Sequence, residues 1–196
     1  MRSLLMSLAL CALFAAHGTA LAQSGNGLRQ SEFQITPRAG LGELRIDQFE
    51  RLGFDEDFSN RDTHGIGVGF GFLTPIGIVI EAGADYFGDE DLFDTDDAFS
   101  LKQEFLSVGY QFELGDGWRL VPRVGRAHWK LRSEEGQFFE FDRDDDSREI
   151  RGDDYFYEAS ISRRISRVVS LGLNLKHGDY GFGRTRSAAF QITLGF

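Results

Sequence analysis

The last nine residues of the chain, 188–196, alternate between apolar side chains and small or polar ones. Apolar residues stand at 188, 190, 192, 194 and 196, and alanine, glutamine, threonine and glycine stand between them. A period of two predicts a β-strand with one apolar and one polar face. We expect a strand that ends on an aromatic residue, Phe196, to be the last strand of a membrane barrel. It would close against the first strand, with the aromatic side chain at a membrane interface.

The first 22 residues predict a secretory signal peptide. They begin with Met1 and Arg2, continue with an apolar run over 4–16, and end in an Ala-x-Ala pattern at Ala22. The alternative is a membrane anchor, but the run is shorter than the roughly 20 residues that a spanning helix needs. We therefore expect cleavage after Ala22 and export, followed by a flexible polar lead-in over 23–32.

Cysteine usage and charge narrow the class of protein further. The single cysteine, Cys11, lies in the predicted signal peptide, and the chain has a formal net charge of −10. A small exported soluble domain often needs disulfides, whereas a barrel closed by its own hydrogen bonds does not. The negative charge argues against nucleic acid and against simple attraction to anionic lipid. No later segment has 18 uninterrupted apolar residues, which leaves a soluble all-β protein or a membrane β-barrel.

Eight segments after the lead-in have strand character, and most reach the roughly 9–11 residues that a membrane-crossing strand needs. They are 33–45, 65–72, 76–87, 101–114, 118–131, 155–165, 168–177 and 188–196. The alternation leaves the register of the fifth segment open. Pro37 and Pro122 lie inside strands, where we expect them near strand ends or at bulges, because proline donates no ladder hydrogen bond.

The connections between these segments alternate in length. Short connections follow the second, fourth and sixth segments, and long ones lie at 46–64, 88–100, 132–154 and 178–185. Short periplasmic turns and long external loops are typical of an up-and-down membrane barrel. The sequence therefore predicts an all-β, eight-stranded antiparallel transmembrane β-barrel over 33–196.

The polar faces of the strands predict a narrow and filled interior. Glycines at 65, 67, 69 and 71 fall on one face, where small residues make room for bulky ones opposite. Charged residues share this face, and we expect them to pair and plug the barrel, because an unpaired buried charge is costly. They are Arg38, Glu81, Asp85, Glu158, Arg164 and Lys176, with Arg126 and Lys130 as less clear members. We expect no catalytic, cofactor-binding or metal-binding residues.

Aromatic residues cluster at the predicted strand ends. On the periplasmic side these are Phe33, Phe72, Phe112, Trp118 and Phe196, and on the outer side Tyr86, Trp129, Tyr155, Tyr157 and Tyr180. Two girdles of aromatics are typical of membrane barrels, and the alternative is the ordinary core of a soluble sandwich.

The long connections hold most of the acidic residues. Residues 46–63, 88–100 and 132–154 contain 22 of the 31 aspartates and glutamates. Asp142, Asp144, Asp145 and Asp146 suggest calcium, but the glycine and distal glutamate of an EF-hand loop are missing. We interpret these segments as solvated external loops, with weak divalent-cation binding at the lipopolysaccharide surface as the alternative.

With these features the chain resembles the small outer-membrane β-barrel superfamily that includes the OmpA transmembrane domain, OmpX and OmpW. The resemblance rests on the eight-strand plan, the glycine-rich inner face and the last strand, where Phe190, Ile192, Leu194 and Phe196 match the apolar positions. It implies that the barrel-assembly machinery reads this strand. It also implies location in the outer membrane, contact with outer-membrane lipids and lipopolysaccharide, and a monomer without cofactors.

The sequence leaves several functions open. We expect a non-enzymatic protein with a structural or surface-interaction role through its acidic loops, and a narrow channel for small or hydrophobic solutes is an alternative. A lipid-modifying enzyme is another. The related lipid A deacylases carry His-x-Ser-Asn, whereas this chain has His177-Gly-Asp-Tyr180 and lacks the nucleophilic serine. A last alternative is a soluble periplasmic barrel whose apolar face turns inward around a ligand.

Overall fold

The structure, a computed structural model, describes residues 31–47, 60–89, 97–135 and 148–196. The predicted signal peptide and residues 23–30 of the lead-in lie outside the described residues and stay predictions. The described ranges form nine β-strands: β1 (Glu32–Ile46), β2 (Asn60–Leu73), β3 (Ile78–Asp89), β4 (Asp97–Tyr110), β5 (Phe112–Gly115), β6 (Trp118–Glu135), β7 (Arg148–Arg164), β8 (Val169–Tyr180) and β9 (Gly183–Gly195). No helix within those ranges is long and apolar enough to cross a membrane.

The strands close into a ring. Apart from β4 and β5, strands that are neighbours in sequence pair antiparallel, and β1 pairs with β9 and β4 with β6. The short β5 continues β4 beyond Gln111 and pairs with β6 as well, so β4 and β5 together act as one barrel strand. The predicted all-β, eight-stranded antiparallel barrel is confirmed.

The strands are strongly tilted. Directly paired residues can be followed around the barrel from Gln34, one strand at a time, and they return to β1 at Leu44, ten residues further along. With ordinary strand spacings, this offset corresponds to a tilt of about 40°, within the range of closed barrels. The tilt widens an eight-stranded barrel enough for side chains to fill its interior.

The two ends of the barrel differ. One end, here called the turn end, carries the tight connections 74–77, 116–117 and 165–168 together with the start of β1 and the end of β9. Gly115, Asp116 and Gly117 all have positive φ, as the predicted tight hairpin between β5 and β6 requires. The opposite end, here called the loop end, carries the connections 47–59, 90–96 and 136–147. These acidic segments, including the aspartates considered for calcium, lie almost wholly outside the described residues.

Both strand prolines lie where the ladder is interrupted. Pro37 keeps its register with Val68 on β2, but the pairing of β1 with β9 skips residues 36 and 37. Pro122 pairs with Ala159 on β7, and its other side faces the break between β4 and β5. The missing N–H of each proline therefore removes no hydrogen bond from a continuous ladder.

The outer surface of the barrel is apolar and the interior carries the charges. Large exposed apolar side chains occur on every side of the barrel, among them Leu41, Phe70, Leu106, Leu173 and Phe190. Buried polar side chains line the inside of the same strands, among them Thr36, Gln103, Ser160, Asn174 and Gln191. A soluble barrel with an apolar interior requires the reverse arrangement, so the structure argues against that alternative.

The fourth long connection in the sequence prediction, 178–185, is wrong. β8 continues to Tyr180 and β9 begins at Gly183, which leaves only Gly181 and Phe182 in a tight turn. The side chain of Phe182 is buried. The sequence prediction ended the seventh strand at 177 and placed Tyr180 in the outer aromatic girdle, so it missed this turn.

Candidate functional site

The interior of the barrel is the candidate functional site, and glycines give it its space. Gly65 and Gly67 on β2 lie directly opposite Phe87 and Asp85 on β3. A Cβ atom on Gly65 would lie 2.6 Å from the ring of Phe87, and one on Gly67 would overlap the Asp85 carboxylate. The prediction that these glycines make room for bulky inward residues is confirmed.

Two arginines and two glutamates meet near the middle of the barrel. Arg38 on β1 pairs with Glu81 on β3 and with Glu158 on β7, at 3.3 Å for the Nη1–Oε2 contact with Glu158. Arg123 on β6 pairs with the same two glutamates, at 3.3 Å for the Nη2–Oε2 contact with Glu81. All four side chains are buried. We call this group the arginine–glutamate quartet.

Lys176 on β8 forms a second polar layer on the loop-end side of the quartet. Its Nζ donates to Asp85 Oδ2 and to Gln103 Oε1, both at 2.7 Å. The same ammonium lies 4.8 Å from the ring centroid of Phe105 and 4.3 Å from that of Phe156. Ring faces stabilise a desolvated cation, so aromatic and carboxylate groups together hold Lys176 in the interior.

An apolar layer closes the interior at the loop end. Trp129 on β6 packs on Phe182 and Tyr180, with ring centroids 4.6 Å and 6.2 Å away, and the latter two rings stack at 5.5 Å. Leu44, Ile46, Leu101 and Leu131 surround these rings, and all seven side chains are buried. We call these seven residues the aromatic plug.

Asp154 fixes the position of the plug. Its Oδ2 accepts hydrogen bonds from Trp129 Nε1 and from the backbone N–H of Gly181, each at 2.9 Å. One carboxylate oxygen thereby ties β6 and β7 to the tight turn between β8 and β9. Because Gly181 precedes Phe182, this bond also holds the Phe182 ring inside the barrel.

Comparisons with known proteins identify the fold. A scan against protein-family models and a search of curated proteins found no match. Among solved structures, the chain is similar to Neisserial surface protein A, with a TM-score of 0.62 and 8% identity over 86% of this chain and 100% of that chain. This chain has the fold of the small outer-membrane β-barrels.

A second small outer-membrane barrel gives the same result. Ail, the attachment invasion locus protein of Yersinia pestis, matches with a TM-score of 0.60 and 11% identity over 86% of this chain and 100% of that chain. Ail in complex with the heparin analogue sucrose octasulfate gives a TM-score of 0.59 at 11% identity.

The barrel brings together five of the predicted interior residues. These are Arg38, Glu81, Asp85, Glu158 and Lys176, all buried in the two polar layers. Arg164 instead lies at the turn-end rim, where its Nη2 donates to Glu32 Oε2 at 3.1 Å. Arg126 and Lys130 were assigned to the wrong face, because both point outward at the loop end of β6.

Sequence reasoning missed Arg119 and Arg123 and misplaced Trp129 and Tyr180. The two arginines face inward because β6 turns its odd-numbered residues into the barrel. Trp129 and Tyr180 were expected in the outer aromatic girdle and instead belong to the plug. The positions of two glycines could have revealed that these rings point inward, because Gly152 lies opposite Trp129 and Gly178 makes room for the Tyr180 ring.

The interior arrangement is suited to closure rather than to chemistry. The charged side chains of the quartet and of the Lys176 layer form ion pairs with one another, and the plug covers them on the loop-end side. Within the described residues no group of three or more His, Cys, Asp or Glu side chains is placed to hold a metal ion. His177 points outward between Tyr157 and Arg186, its cross-strand partners, and faces away from both polar layers.

Proposed function

We propose that this chain is an integral outer-membrane protein with a closed interior and a structural or surface-interaction role through its acidic loops. The observation that carries the proposal is the double closure of the barrel. A solute would have to displace both the arginine–glutamate quartet and the aromatic plug. Separating these buried pairs would leave desolvated charges without a partner, so an open path is rarely populated.

The distribution of side chains supports membrane insertion. The apolar residues face outward along every strand, and the charges lie inside or beyond the ends of this apolar belt. A closed barrel satisfies its backbone hydrogen bonds internally, which a hydrocarbon environment demands. The predicted signal peptide supplies the export that this location needs.

The charge of the external segments points to a cationic partner. Residues 46–63, 88–100 and 132–154 contain 22 acidic residues and only six lysines and arginines. Ail of Yersinia pestis was solved with a sulfated, polyanionic heparin analogue. The loops of this chain repel such a ligand, and basic protein surfaces or divalent cations at the lipopolysaccharide layer are better matched to them.

Two measurements test the proposal. In planar lipid bilayers, the purified refolded barrel should show no steady large-conductance steps, and such steps would refute a closed interior. On intact cells, binding to polylysine-coated beads should fall when the six acidic residues of 88–100 are replaced by asparagine and glutamine. Heparin-coated beads are the matched control, and preferential binding to heparin would contradict the cationic partner.

A narrow channel is the second candidate, because a cavity of about 400 Å³ opens into the interior from the turn end. Uptake of small solutes into liposomes that contain the barrel would favour it. A lipid-modifying role is tested by the mass spectrum of lipid A, which we expect to be the same with the wild-type protein and with His177→Ala.

A further inference from the structure

The cavity at the turn end is built differently from the rest of the interior. It has a volume of about 400 Å³ and is bordered by charged side chains from several strands and by apolar ones. The charged residues are Glu32, Glu113, Arg119, Arg164 and Arg167, and the large apolar residues are Leu73, Val168 and Phe196. We call this cavity the vestibule. The quartet lies deeper in the barrel, so a molecule that enters the vestibule meets a closed floor.

Arg119 is the buried cation of the vestibule. Only 5% of its surface is exposed, and its Nε has no hydrogen-bond acceptor within the part of the chain that the structure describes. Its Nε forms an ion pair with Glu113 Oε1 at 3.6 Å, which is too long for a hydrogen bond, and that oxygen already accepts a hydrogen bond from Gln111 Nε2 at 2.8 Å. A buried guanidinium with incomplete hydrogen bonding is costly unless an anion or water completes it.

The rim adds charged groups and apolar walls. Arg164 is paired with Glu32, and Arg167 borders the cavity from the turn between β7 and β8. Leu73, Val168 and Phe196 provide the surface against which an alkyl group would lose contact with water.

We propose that the vestibule is a binding site for a small organic carboxylate from the periplasm. The planar guanidinium of Arg119 matches a carboxylate in shape and charge. The apolar walls favour an organic acid over inorganic phosphate or chloride, and the volume lies within the usual range for small-molecule sites. This inference rests on the proposed membrane orientation, which places the vestibule on the periplasmic side. It does not depend on what the acidic loops bind or on whether the barrel conducts.

The test uses the refolded barrel in lipid nanodiscs and three probes. Sodium hexanoate carries both the charge and the alkyl chain, sodium acetate carries the charge alone, and 1-hexanol carries the chain alone. We expect hexanoate to shift the backbone amide signals of Leu73, Gln111 and Gly195 saturably. Acetate should bind at least about tenfold more weakly because it buries less apolar surface, and hexanol should produce no saturable shift.

Three variants locate the site. Arg119→Gln should weaken hexanoate binding by about tenfold or more, because it removes the charged fork. Arg163→Gln is the matched control, since the Arg163 guanidinium lies 5.8 Å from the Trp118 ring and does not border the vestibule. Glu113→Gln should tighten binding about threefold, because it removes a competing anion beside Arg119. Slower gel migration after boiling verifies that each variant has folded.

The outcomes separate binding from partition into lipid. Equal shifts of the amide signals with hexanoate and with hexanol would overturn the proposal. An equal loss of hexanoate affinity in Arg119→Gln and Arg163→Gln would overturn it too. Should Arg119→Gln fail to fold, an unchanged or weakened affinity in Glu113→Gln would overturn it as well. A conducting barrel would contradict the closed interior proposed above without affecting this result.

Discussion

Phe87 fills the space left by Gly65. The two residues are direct partners across β2 and β3, and a Cβ atom on Gly65 would lie 2.6 Å from the Phe87 ring. The same relationship holds for Gly152 and Trp129, where the corresponding distance is 2.5 Å. Gly65 and Gly152 are therefore each matched to one large side chain on the neighbouring strand, and these parts of the interior are packed as complementary pairs.

We expect Gly65→Ala to destabilise the barrel by about 1–3 kcal/mol, because the added methyl group forces the Phe87 ring to move. Gly71→Ala is the matched control on the same face of β2. Its Cβ atom would lie 3.5 Å from Gln34 Cβ, an ordinary contact. Urea unfolding in lipid vesicles, followed by tryptophan fluorescence, measures both variants. Equal stabilities would show that the Gly65–Phe87 pair has no packing role.

The arginine–glutamate quartet predicts that removing one charge destabilises the barrel more than removing a pair of opposite charges. Glu158→Gln leaves Arg38 and Arg123 to share one carboxylate and should cost about 3–5 kcal/mol. The double variant Arg123→Met with Glu158→Leu leaves the Arg38–Glu81 pair intact and should cost less than the single change. Glu149→Gln, an exposed change, is the control, with an expected effect within about 0.5 kcal/mol. A double variant less stable than Glu158→Gln would contradict this reading of the network.

Much of the architecture could be predicted from the sequence because two simple periods determine it. The alternation of apolar and polar residues assigns each strand two faces, and the alternation of short and long connections assigns it a direction. These signals were sufficient to place Arg38, Glu81, Asp85, Glu158 and Lys176 inside the barrel. Each of them stands on a strand whose outward face is clearly apolar.

β6 shows where such reasoning fails. Its outward residues change from apolar, up to Val124, to charged, from Arg126, because the strand continues beyond the apolar belt. Its inward residues change in the opposite sense, from Arg123 to Trp129. The apolar face therefore switches sides along one strand, and no single period describes it. Trp129 was misplaced for this reason.

The plug itself can be tested through Asp154. Asp154→Ala removes the acceptor of both Trp129 Nε1 and the Gly181 N–H, and leaving such donors unpaired should cost about 1–3 kcal/mol. Hydrogen exchange of the amides at 181–183 should become faster, and Trp129 fluorescence should shift to the red as water enters. Asp153→Ala is the matched control, since Asp153 points outward and makes only longer contacts with Arg126 and His128. Identical exchange rates in the two variants would show that Asp154 does not hold the turn.

Glu149 gives a pH-dependent test at the loop end, beyond the apolar belt. The hydrogen bond and charge of Lys130, at 3.2 Å, together with Arg151 at 2.6 Å, hold the pKa of Glu149 below its usual value of 4.5. A lowered pKa in the folded state means that these contacts are present above that usual value and are lost as the pH falls through the lowered one. Carbon NMR titration should show the pKa rising in Lys130→Met. The pKa of Glu149 should not change in Lys102→Met, which removes the cross-strand partner of Lys130. Equal pKa shifts in both variants would mean that the general positive charge of this region, and not the contact with Lys130, lowers the pKa.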